Sequence, residues 1–394
     1  MSGEAQINPG RQLEAEAQQR KTFAPKKSQV NTGRQVEFDY LKGLFIPIIL
    51  IIHAFQVLGG DAAPTPAAYQ ITYITATMTG SAIFLFVMGL GSTYSKRTEK
   101  QLAKDGIKLI VQEFIWNVLA FILPMALAQL LLMLLGKETA WDTTRDFAVM
   151  MLQYINIFFI AGVCYLLLAL LRLAKTPTWL YFVLALAFMV VNPFLFMKDK
   201  TTGNAVLDYI LTTFAGGRSA VSLCCLTHIP YVLFGVGFGK ILRCTQDKTR
   251  LYGLASIPAA LIVICYFEHA ISANGSLDAL YAFSRTGYLY PSALKSLANC
   301  SCIILAAALL YTLRNVISAV KPLHNLLIHF NKKTTPYYAI HPFFFCFVNS
   351  FLCYKAASPL TCVIAAPVTG VLCRLSILIW ERLRNKLHRE EQTV

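Results

Sequence analysis

His53 is the first residue of the chain to suggest chemistry. It stands well inside an apolar run, FIPIILIIHAFQ, where an ionisable ring is unfavourable to bury and marks a functional site by default. Lys42 lies eleven residues before it. At about 100° per residue, eleven steps return to within roughly 20° of the starting direction, with an axial rise of about 16 Å. A cation at one edge of a helix and an imidazole three turns deeper suit an extended ligand with phosphate at one end and a reactive group at the other. Coenzyme A thioesters have that shape. Lys42 reads equally as an interfacial anchor, and Pro47 between the two makes their separation approximate. A neutral imidazole in this place can act as general base toward an acceptor hydroxyl, or as a nucleophile that is itself acylated.

Glu113 is the only acidic residue well inside an apolar run. It is expected either to orient the imidazole or to pair with Lys42 or His341. His341 is expected to help bind the donor, or to hydrogen-bond the neighbouring backbone as a histidine near a helix start. Counted by helical rise from the cytosolic ends, Glu113 is about 8 Å deep, His341 about 9 Å and His53 about 18 Å, which sets His53 apart from the other two. Gln56 follows His53 on a neighbouring part of the same face, and it and Arg218, in the turn Ala215-Gly216-Gly217-Arg218, are candidate acceptor contacts. Asn117, Gln153, Asn156, Asn299 and Asn349 either line a tunnel or bond between helices. Gly80, Gly89 and Gly91 either admit a ligand tail or allow close packing. The eleven cysteines are odd in number and form no C-x-x-C pair. Cys224 and His228 would share a helix face, but two ligands without partners make a weak metal signal, and no metal cofactor is expected.

The elements that must position these residues are membrane helices. The chain has 394 residues, 56% hydrophobic and 14% charged, with a mean hydropathy of +0.55. A soluble protein carries roughly 25% charged residues. Ten apolar segments approach the ~20 residues that cross a bilayer. They span about 41–59, 69–94, 108–135, 147–171, 178–197, 222–242, 251–267, 292–313, 335–354 and 360–380. The expected fold is an all-α polytopic helix bundle of about ten transmembrane helices. Residues 1–38 read as a disordered basic cytoplasmic tail, 39–385 as the transmembrane domain and 386–394 as a C-terminal cytoplasmic tail. The formal charge of +15 resides mainly in short connections on one side. That excess orients the chain with both termini cytoplasmic and needs no nucleic-acid partner.

Beyond the residues themselves there is a resemblance. Asp39-Tyr40-Leu41-Lys42-Gly43 followed by His53 resembles the opening signature of acyltransferase family 3, whose first helix carries Arg-x10-His. Lys42 here replaces the usual arginine, keeping charge and losing bidentate geometry. Gly80-Ser81-Ala82-Ile83-Phe84-Leu85-Phe86-Val87-Met88-Gly89 resembles the second-helix F-x-F-x-x-G element, followed by Lys96 and Arg97. Tyr337-Tyr338-Ala339-Ile340-His341-Pro342 is similar to the Y-x-x-H-P helix start, and Pro230 through Gly235 to Gly239 to the P-x-x-x-x-G-x-x-x-G segment. Leu152-Gln153-Tyr154-Ile155 instead resembles an element of the distantly related heparan glucosaminide N-acetyltransferases. The resemblance covers most of residues 38–355 and implies that His53 is the catalytic histidine. Lys42, Lys96, Arg97 and His341 would then contact the donor.

The expectation is an integral-membrane O-acyltransferase in a bacterial plasma membrane. It would move an acyl group, most simply acetyl, from a cytosolic acyl-CoA such as acetyl-CoA to a carbohydrate or lipid-linked glycan. The alternative is a secondary transporter in which His53, Glu113 and His341 relay protons or bind solute; no internal repeat supports it.

Overall fold

The computed structural model describes residues 30–59, 66–196, 201–217, 223–282 and 292–391. Among them the regular structure is helical. The chain runs α1 Val36–Leu58, α2 Ala67–Tyr94 and α3 Glu99–Asn117, which passes through a π-helical turn, Val118–Ile122, into α4 Leu123–Leu134. There follow α5 Trp141–Leu152, α6 Ile157–Leu173, α7 Thr178–Leu195, α8 Ala205–Ala215, α9 Cys225–Cys244 and α10 Lys248–Asn274. The last four are α11 Ala293–Ala319, α12 Lys321–Lys332, α13 Thr334–Phe351 and α14 Pro359–Glu391. Eight of the described helical stretches are long and apolar enough to cross a membrane, counting α3 through α4 as one, and α6 is a shorter apolar helix. The protein is an integral, multi-pass membrane helix bundle.

α1 is the central helix. It packs against α2, α11, α12, α13 and α14, as its apolar character around the whole circumference requires. Pro47 does not interrupt it: the helix is continuous from Val36 to Leu58. Its amino-terminal half is held by α12, whose Leu323, Leu326, Leu327 and Phe330 recur at helical spacing beneath a polar face. Leu327 is buried and its backbone lies against Gly43, where an added Cβ would come 2.2 Å from the Leu327 carbonyl oxygen. Tyr40 Oη is 2.8 Å from His324 Nδ1, and Asn331 donates to Asp39 at 2.6 Å. In the sequence this amphipathic helix falls between the apolar segments 292–313 and 335–354.

The expected span 147–171 is corrected by the structure. It is two helices, α5 and α6, separated by the non-helical residues 153–156. Apolarity runs through the break, so composition does not reveal it. The break persists because its polar groups are satisfied: Asn156 accepts from Ile157 N–H at 2.8 Å as N-cap, and Asn117 donates to the Tyr154 carbonyl at 2.8 Å. The π-helical turn before Pro124 has a similar origin. A proline near the start of α4 cannot donate to the preceding turn and its ring crowds that turn's carbonyl, so the turn widens.

Helix crossings use glycine where backbones touch. A Cβ on Gly89 would meet the Val232 carbonyl oxygen at 2.1 Å, and one on Gly235 would meet that of Phe86 at 2.1 Å, so α2 and α9 cross in backbone contact. Gly89 is therefore a packing glycine, whereas a Cβ on Gly80 or Gly91 would meet nothing within 4 Å. Gly89→Ala and Gly235→Ala are each expected to destabilise the protein by about 1–3 kcal/mol, the range for overpacking a close contact. A lowered denaturation midpoint in detergent, with Gly91→Ala as the near-neutral control, is the measurement.

Candidate active site

α1 carries His53 partly accessible, and α13 carries His341 fully buried beside it. His53 Nδ1 lies 2.7 Å from His341 Nε2, with ring centroids 4.8 Å apart. The other nitrogen of His341, Nδ1, is 2.9 Å from the carbonyl oxygen of Tyr337, four residues earlier on the same helix. A carbonyl can only accept, so Nδ1 of His341 carries a proton and donates it there. With both rings neutral, His341 Nε2 is then an acceptor and His53 Nδ1 must be the donor. The proton inventory leaves the lone pair of His53 on Nε2, at the accessible member of the pair. A backbone carbonyl thus sets the tautomer of one ring and, through it, of the next.

This pairing was not expected, since helical rise separates the two histidines by about 9 Å in depth. The count assumed that α1 and α13 start in one plane, and they do not. Tyr337, three residues into α13, packs in one cluster with Ile46, ten residues into α1. By helical rise α13 therefore starts about 10 Å further along the bundle than α1, which removes most of the roughly 15 Å that separates His53, 17 residues into α1, from His341, seven residues into α13. The signal that could have found the pair is simple: two solitary ionisable rings in different spans are each the other's most economical partner.

Glu113 is fully buried on α3, and its Oε2 accepts from Phe159 N–H at 3.2 Å, at the amino-terminal turn of α6. The carboxylate faces the positive end of that helix dipole together with the N-cap Asn156. Asn156 in turn accepts from the Tyr338 hydroxyl, and the Tyr338 and His341 ring centroids lie 5.7 Å apart. Trp116 stacks on Tyr338 and donates to the Ala339 carbonyl at 2.9 Å. Glu113 thus stands behind α13 rather than against His53, holding the α6 start on which Tyr338 leans. Glu113→Ala would leave a buried N–H without its acceptor, and a loss of about 1–3 kcal/mol in stability is expected. Glu113→Gln keeps an acceptor and is expected to retain both fold and activity, measured as denaturation midpoint and product formed per minute. Activity lost in a stably folded Glu113→Gln would instead return the carboxylate to the chemistry.

The cationic candidates stand in the amino-terminal part of α1 and just past the carboxyl-terminal end of α2. Lys42 is half-buried on α1, and Lys96 and Arg97 are exposed in the connection from α2 to α3. Arg97 pairs with Asp105 at 3.1 Å, and its carbonyl accepts from Arg172 at 3.0 Å. Arg172 and Arg243 also donate to the Ser92 and Thr93 carbonyls at the end of α2, so further guanidinium charge gathers there. Gln56 is exposed about one turn after His53 on α1. Toward the carboxyl-terminal end of α1, Phe55 stacks on Tyr69 at 4.0 Å, with Tyr73 and Tyr281 nearby. Arg218 lies outside the described residues. Cys224 and His228 are joined through the Cys224 carbonyl, 2.8 Å from His228 Nδ1, and among the described residues no group of three or more metal-ligating side chains occurs.

Chemically, the arrangement offers a directed imidazole lone pair within the bundle and positive charge on the amino-terminal part of α1 and in the connection that follows α2. Comparison with curated proteins and with solved structures finds no match. A family model described as an acyltransferase domain matches residues 35–378, most of the chain, and the protein therefore belongs to acyltransferase family 3.

Proposed function

We propose that this membrane acyltransferase moves an acyl group, most simply acetyl, from a cytosolic acyl-CoA to a hydroxyl of a carbohydrate or lipid-linked glycan. The observation that carries the reading is the His53–His341 pair, which leaves His53 Nε2 as the accessible lone pair. As the acceptor oxygen attacks the thioester carbonyl, its proton passes to His53 Nε2. The C–S bond then breaks, and the departing thiolate takes that proton. His341 accepts the Nδ1–H of the resulting imidazolium, and the Tyr337 carbonyl supports His341 in the same way.

Lys42, Lys96 and Arg97 form the cationic rim suited to the phosphates of the donor, while Gln56 and Arg218 are assigned to the acceptor. With both termini cytoplasmic, donor and acceptor approach from opposite faces of what is taken to be a bacterial plasma membrane. No metal or nucleic acid is required. Purified protein in nanodiscs, given acetyl-CoA labelled in the acetyl group and an extract of membrane glycans, is expected to release free coenzyme A and label a glycan. No release of coenzyme A with any acyl chain length tried would refute the donor assignment.

A further inference from the structure

A second imidazole in the bundle repeats the hydrogen-bond order of the first pair and ends on a nucleophile. His228 of α9 is buried, with Nδ1 2.8 Å from the Cys224 carbonyl oxygen four residues earlier and Nε2 3.1 Å from Ser81 Oγ on α2. The carbonyl again fixes the proton on Nδ1, so Nε2 accepts from the Ser81 hydroxyl. A serine whose proton points at a bare imidazole nitrogen, itself oriented by an acceptor behind it, is the arrangement of an activated nucleophile.

The backbone supports the assignment. Gly80, directly before Ser81, has φ 11° and ψ −124°, a break within α2. Irregular backbone at membrane depth persists where it is buried in protein or lines a cavity. Here a Cβ on Gly80 would meet no atom within 4 Å, and both Gly80 and Ser81 are partly accessible. The break is also braced. With its amide turned to satisfy both ends, Asn299 of α11 donates to the Met78 carbonyl at 3.0 Å and accepts from Tyr231 Oη at 3.0 Å. Ser81 lies 13 residues from the inner end of α2 and 14 from its outer end, near the middle of the membrane.

We propose that Ser81 and His228 form a second reactive site, in which Ser81 carries an acyl group as a serine ester; the source of that acyl group rests on the donor reading above. Ser81 Oγ bonds to the thioester carbonyl carbon while its proton passes to His228 Nε2. The C–S bond breaks, and the thiolate leaves with its electron pair and takes that proton. In the return step an acceptor hydroxyl attacks the ester, gives its proton to His228, and Ser81 Oγ departs and recovers it. A carrier at this depth would hand an acyl group from a donor on one face to an acceptor on the other.

The test uses the full chain in nanodiscs with a fluorophosphonate probe, which reports an activated serine without any acyl-CoA. Peptide mass spectrometry is expected to find the probe on Ser81 in the wild type. Labelling should slow at least about tenfold in His228→Gln, given the 10²–10⁴-fold that a positioned base contributes. His53→Ala should still be labelled, which separates this site from the first. An acid quench after labelled acetyl-CoA should then place acetyl on the Ser81 peptide. A wild-type protein unlabelled at Ser81, or labelled equally fast in His228→Gln, overturns the proposal and leaves the contact as helix packing. Labelling by the probe without acetyl on Ser81 would keep the activated serine and overturn its use as carrier of this donor's acyl group.

Discussion

His53→Ala is expected to lower kcat for acyl transfer by about 10²–10⁴-fold, the contribution of a positioned acid–base group. The protein should still insert and elute as the wild type does. Truncation removes a half-buried ring whose described hydrogen bond is the one to His341, and no backbone contact is lost with it. The donor KM should change little, because the donor phosphates are assigned to the proposed cationic rim some turns away. His53→Gln sharpens the test: its amide can still contact His341, yet it has no basic nitrogen, so it should be as inactive as the alanine variant. Full transfer by either variant would end the assignment of His53 as base.

The second large effect is expected at a residue that need not touch substrate. His341→Ala removes the acceptor that holds the His53 proton on Nδ1, so the ring can turn and can carry its proton on Nε2, where it has no basicity to offer. Loss of a tautomer-fixing partner in a hydrolytic triad costs about 10⁴-fold. The neutral partner here is expected to cost about 10²–10³-fold in kcat on that scale, with the donor KM held within about twofold. His341→Gln presents an oxygen that can accept the same Nδ1–H and is expected to recover part of the loss. That recovery distinguishes orientation from packing, since glutamine fills the buried space no better than other polar side chains do. A donor KM that rises while kcat stays constant would place His341 on the donor, as the sequence first suggested.

The two variants also discriminate between the roles open to His53. If the ring were acylated, His53→Ala would abolish formation of a labelled imidazole adduct, and His341→Ala would slow it. If the ring is a base, no such adduct forms, and only transfer to an acceptor is lost.

Much of this was legible before any fold was known. Helix formation and membrane residence follow from local composition, because in a bilayer each span must satisfy its own backbone and the lipid rewards apolar side chains wherever they point. The spacing of Lys42 and His53 is a property of one continuous helix, so a count of residues sufficed. Gly89 could be suspected of close packing on the same footing.

Relations between helices were not legible, because lipid is as apolar as the side chains and imposes no register of one span against another. The recessed start of α13 turns an apparent depth difference into a 2.7 Å contact between His53 and His341. The break at 153–156 depends on Asn117 arriving from another helix, and the one at Gly80 on Asn299. Glu113 looked like an orienting carboxylate by type and acquires its partner, the α6 amino terminus, from packing alone. Sequence determined that ionisable groups would sit within the membrane; the tertiary structure decided which of them meet, since hydrogen bonds form over about 3 Å and chain counting cannot place separate helices that closely.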